Sequence, residues 1–191
     1  SIKMALHIGV LLLAIAFLTF SYYSIKLLFK VEFLTTTVKA MRLFSICTFI
    51  TVVLGLYIAS SHMSSNIGES HYVFVNAHAL FGLFGFASLL IMGVAFQVIP
   101  MFYVAQDFPK PFQSKAPLAV FALLFIGFIF MYLNFDIFVV KTAFTVIFLV
   151  FAYLGLKSLN NRKRPVFDVT LWYWKLSLSM LAISMLIFLA G

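Results

Sequence analysis

Acidic side chains are almost missing from this chain: five Asp and Glu stand against 13 Lys and Arg in 191 residues, and charged residues together make up 9%. Soluble domains carry about 25% charged residues, which keep the exterior solvated and break up apolar patches. So thin a polar shell excludes a soluble globular domain. Cysteine is represented by Cys47 alone, inside an apolar run, which excludes an intrachain disulfide and a cysteine-based metal cage. Cys47 is expected to fill core space. Also missing are a Gly-rich phosphate loop, a serine-hydrolase elbow and an HExxH pair, so the motifs for phosphate, acyl and zinc-protease chemistry are not there.

What is there is apolar. Hydrophobic residues make up 64% of the chain and include 25 Phe, and mean hydropathy is +1.15. Lipid is the solvent that fits. Six apolar stretches, at about residues 2–29, 40–60, 72–105, 116–135, 137–159 and 168–190, are each long enough to cross roughly 30 Å of hydrocarbon, which takes about 20 helical residues. A transmembrane β-barrel would show strands of about ten residues alternating polar and apolar, and these runs are continuously apolar. The expected fold is an all-α polytopic transmembrane helix bundle of about six spans, forming a single domain over 1–191.

A net charge of +8 would point to nucleic acid in a soluble protein. Here the cations gather between apolar runs, which is how cytoplasmic loops are marked, so no nucleic-acid partner is expected. The first loop holds Lys26, Lys30, Lys39 and Arg42, the third Lys110 and Lys115, the fifth Lys157, Arg162, Lys163 and Arg164. The second, from Ser61 to His71, carries Glu69 and no cation, and the fourth offers only Asp136 and Lys141. These two are expected outside. An even number of spans then places both termini outside, in what is expected to be a bacterial inner membrane. The chain starts at Ser1 without a cleavable signal pattern. The expectation is the carboxyl half of a longer protein, or a chain whose partners are other transmembrane helices: a missing amino half, a homo-oligomer or a partner subunit.

The four histidines, His7, His62, His71 and His78, all fall toward the expected outer side. His7 and His78 each stand about six residues into a span, about 9 Å below the interface at roughly 1.5 Å per residue, where they are placed to face each other. An ionisable residue inside the membrane is costly and is by default a functional-site hypothesis, although a neutral imidazole can also simply bond a neighbouring helix's carbonyl. Gly82, Gly85, Leu89, Gly93, Phe96 and Pro100 project on the same side as His78 at roughly 100° per residue. Small residues on one stripe admit either a helix or a flat macrocycle, and imidazole is the standard axial donor to haem iron. His62 and His71 border the second loop. With Met63 they supply donors suited to copper, a solvated interfacial role being the simpler reading. Gln97 stands three residues before Pro100, where its amide can reach a carbonyl freed by the proline kink. Trp172, Tyr173 and Trp174 read as an interfacial belt, with Lys175 snorkelling to the headgroups.

The segment from His78 to Pro100, HALFGLFGFASLLIMGVAFQVIP, resembles the helix of haem-copper oxidase subunit I that carries a His-x-His pair, particularly in C-family oxidases and nitric oxide reductases. His78, Gly82, Gly85, Gly93 and Pro100 match its H-x-H-x-G-x-x-G-W pattern and the later Gly and Pro without a gap, and Phe86 replaces the Trp. The multispan haem and copper proteins of the NnrS family are a second likeness. The resemblance implies a b-type haem with His78 as axial ligand, His7 as second ligand or neighbour, and Gly82 and Gly85 beside the ring, with copper as a further cofactor. Two departures narrow it. Leu80 stands where the pair's second His belongs, and no His-His pair for a copper centre occurs. The expected function is a haem protein of electron transfer or of oxygen or nitric oxide binding or reduction, with an oxidoreductase role left open. The alternatives are a copper or small-solute transporter and a non-catalytic membrane subunit of a respiratory complex.

Overall fold

The computed structural model describes residues 2–64, 68, 70–163 and 168–191; Glu69 and Arg164, counted above in the second and fifth loops, lie outside them. The described residues form six long helices and no strand: α1 (Ile2–Lys30), α2 (Thr36–Ser64), α3 (His71–Tyr103), α4 (Lys110–Tyr132), α5 (Phe138–Asn160) and α6 (Val169–Ala190). All six are long and apolar enough to cross a membrane. Large apolar side chains stay exposed along every one, among them Leu11, Leu12, Phe49, Ile91, Ile126, Val146 and Ile187. Water would not tolerate such a surface. The chain is an all-α polytopic bundle and an integral membrane protein.

Local chemistry sets the helix ends. The span expected from residue 40 starts at Thr36, because the Thr35 hydroxyl accepts a hydrogen bond from the Val38 N–H at 3.2 Å and caps the first turn. The span expected from residue 116 starts at Lys110, with Pro109 at the cap and a proline in the opening turn, where proline's fixed φ suits a helix start. Asp168 caps α6, its carboxylate accepting from the Thr170 N–H at 3.0 Å and hydroxyl at 2.8 Å. Among the described residues two that are not glycine adopt left-handed backbone: Asn134 after α4, and Val104 after α3, with φ of 55° and 48°. Val104 is β-branched and strained there; its carbonyl accepts from the Lys163 N–H at 3.1 Å, tying the loop after α3 to the one after α5.

The middle of α3 is not α-helical. Phe81–Ser88 forms a π segment, in which each turn holds more residues than an α turn, and the Ser88 hydroxyl donates to the Leu83 carbonyl five residues back at 2.8 Å. Such segments are rare and frequent at functional sites. This one turns Phe84 into the core, stacked on Phe144 with centroids 4.6 Å apart and touching Phe148 and Phe188. A second aromatic cluster, Phe96, Phe108 and Phe151, fills the half near the cationic loops.

Helix α3 sits at the centre, against α2, α4 and α5, while α1 packs on α2 alone and α6 chiefly on α5. Arg42 pins the carboxyl end of α1. Its guanidinium donates to the carbonyls of Leu28, Phe29 and Val31 at 3.1, 3.4 and 2.8 Å and lies 4.8 Å from the Phe29 ring. Leu28 and Phe29 belong to the last turn of α1, where carbonyls run out of helical N–H partners, Val31 follows the helix, and cations suit a helix carboxyl end.

Candidate functional site: His78 and the gap beside it

His78 stands two turns into α3, before the π segment. Its Nδ1 lies 2.9 Å from the carbonyl oxygen of Thr51 on α2. A carbonyl only accepts, so the proton is on Nδ1 and the Nε2 lone pair is free for an acceptor's or ligand's role. Among the described residues nothing hydrogen-bonds to Nε2. The ring comes this close to α2 because residue 55 is glycine: a Cβ there would stand 2.9 Å from Cε1 and 3.3 Å from Nδ1, closer than real side chains tolerate.

Beside the ring lies an apolar gap of about 400 Å³. Its walls are Val10, Leu13, Ala14 and Phe17 of α1, Thr48, Thr51, Val52, Gly55, Leu56 and Ala59 of α2, and His78 and Phe86 of α3. That volume falls within the range of about 300–1,000 Å³ seen for ligand and cofactor sites. The gap exists because α1 meets α2 closely only in its second half. There Ser21 is fully buried, Phe20 lies edge-on to Phe44, and Arg42 holds the last carbonyls.

The other expected site residues are placed differently. Gly82 and Gly85 do not line the gap, a correction to the expected haem slot along the glycine stripe. That stripe is covered by α2: a Cβ on Gly82 would lie 3.5 Å from Thr51 Cγ2, one on Gly85 2.8 Å from Cys47 Cβ and 3.0 Å from Leu124, and one on Gly93 3.0 Å from Ala40. These glycines permit close helix packing, and Cys47 is the core filler expected, fully buried beneath Gly85. The open space beside His78 lies on the α1 side instead. Leu80 packs 3.2 Å from where a Gly127 Cβ would be. The cavity that Leu80 and Gly127 line holds about 30 Å³.

His7 is exposed, one turn before Val10 on the same face of α1, and is not among the residues that wall the gap. His62 and His71 meet: α2 runs on to Ser64 and α3 begins at His71, which sets the two rings 5.0 Å apart at 89°. His71 is buried, at 6% exposure, rather than solvated. Gln97 is exposed and walls a separate cavity of about 700 Å³ near the cationic loops, with Thr36, Asp107, Asn161 and Lys163; its amide bonds no carbonyl of the Pro100 kink. Lys175 rests 5.8 Å from the Trp172 ring.

Thr51 and Gly55 went unnoticed in the sequence. Their signal is the run Thr48, Thr51, Gly55, Ala59, four small residues at helical spacing on one face of α2. Compared with protein-family models, curated proteins and solved structures, the chain matches none.

Proposed function

We propose that this protein binds a haem through Nε2 of His78, in the gap between α1 and α2, and that it handles a diatomic gas such as nitric oxide or oxygen. The observation that carries this reading is the state of His78: Nδ1 committed to the Thr51 carbonyl at 2.9 Å, and the ring at the wall of an apolar gap of about 400 Å³. Metal-ligating histidines characteristically donate their other N–H to a carbonyl or carboxylate, which fixes the ring and raises the donor's basicity.

The residues fit a haem held from one side. Across the gap from His78 the α1 wall is Val10, Leu13, Ala14 and Phe17, none a ligand, so His78 would be the donor that holds the iron and the apolar wall opposite would leave room for a gas. Axial donors on both sides would favour electron transfer. When bound, haem supplies the iron chemistry; the chain's own part is to hold one imidazole, exclude water with apolar walls and keep the opposite face clear. The loops rich in Lys and Arg face the cytoplasm in this reading, and lipid covers the outer faces of α1 and α6.

Protein purified after expression with ample haem should carry about one haem per chain and a Soret band. His78→Ala should lose both while keeping its helix content. Wild type without a Soret band, or a variant that keeps it, defeats the reading.

A further inference from the structure

We infer that His62 and His71 form a second site, separate from His78, for a transition-metal ion of the copper and zinc class. The inference stands without the haem. Their ring centroids are 5.0 Å apart at 89°. Two imidazoles bound at a tetrahedral angle, each nitrogen about 2.0–2.1 Å from the ion, place their centroids about 5 Å apart. The pair already has that spacing.

A second observation points the same way. His71 is 6% exposed, and its Nδ1 is fully enclosed with no hydrogen-bond partner among the described residues. Buried polar atoms are nearly always satisfied, and an exception asks for an ion or a water. The nearest rings are His62 and Tyr72, at 5.0 and 6.2 Å, and of the two only His62 is a metal donor of the imidazole type. His62 sits in the last turn of α2 and is exposed, so an ion reaches the pair from solvent.

The two donors come from different helices, and the helix pair is held in register by the contact of His78 with Thr51 and Gly55. The two rings are thus already adjacent before a metal arrives. No group of three His, Cys, Asp or Glu exists among the described residues. The described residues thus supply two imidazole donors, and water can complete the coordination of an ion held by two protein ligands. Imidazole binds zinc and copper well, and the half-exposed Met63 beside His62 offers a thioether if the ion is Cu(I).

The test is metal titration of the full chain in detergent, with Zn²⁺ alone and with Cu(I) alone under reductant, followed by elemental analysis after desalting. Wild type should retain one equivalent of at least one ion, and the tighter of the two names the metal. His62→Ala and His71→Gln should each weaken binding by more than the roughly 10–100-fold that loss of an outer-shell partner costs, with helix content unchanged. The Soret band should not move, which keeps this result apart from any failure at His78. Should His71→Gln misfold, the exposed His62→Ala decides alone. A wild type that retains neither ion, or a His62→Ala protein that binds as tightly as wild type, overturns the inference.

Discussion

The two end helices, α1 and α6, each flank the core through a single main neighbour, and they do it in opposite ways. Helix α6 closes on α5: Leu178 lies 2.8 Å from where a Gly155 Cβ would be, Leu171, Leu178 and Met185 are buried, and Phe188 reaches Phe84 at 5.3 Å. Helix α1 is the more apolar, with mean hydropathy 2.2 against 1.6, yet the less buried, at 6% against 11%. It leaves about 400 Å³ between itself and its neighbour. The difference teaches that hydropathy places a helix in lipid without saying how tightly it packs. Lipid tails are as apolar as Leu, so small residues and polar bonds decide closeness. Helix α6 meets a glycine, whereas α1 meets an imidazole beside a glycine.

The largest expected effect after loss of the His78 ring itself is from Gly55→Val. A side chain there collides with Cε1 at 2.9 Å and must drive the ring off the Thr51 carbonyl. Haem per chain should fall at least tenfold, and overpacking should also cost about 1–3 kcal/mol of stability, readable as a lower melting temperature. Ala14→Trp should come next. It fills the gap from the α1 side without touching His78, so haem should fall several-fold while the melting temperature holds or rises; unchanged haem would mean the gap is not the site. Gly155→Ala should matter least. Its Cβ meets Leu178 Cδ1, the far end of a flexible side chain, so about 1 kcal/mol or less is expected, with haem content unaltered. A haem loss in Gly155→Ala as large as in Ala14→Trp would erase the contrast between the two flanks.

The spans were legible in the sequence because a bilayer admits only long apolar helices with satisfied backbones. Their ends were less so, since capping by Thr35 and Pro109 carried α2 and α4 outward past the apolar runs. His78 could be singled out because an imidazole in hydrocarbon demands a partner. Which side of α3 held the space could not, because the glycine stripe is equally suited to a helix, and α2 took it. The meeting of His62 and His71 was hidden for a similar reason. It needs α2 to continue to Ser64, through residues polar enough to read as loop.

The proposed ligation of haem iron by Nε2 of His78 is tested most directly by imidazole rescue. Reduced and oxidised visible spectra would be recorded for wild type, for His78→Gly, and for His78→Gly with added imidazole. The account predicts a haem spectrum in wild type that is lost in the variant and returns when free imidazole fills the vacated space. A haem spectrum in His78→Gly identical to wild type before any imidazole is added would contradict it.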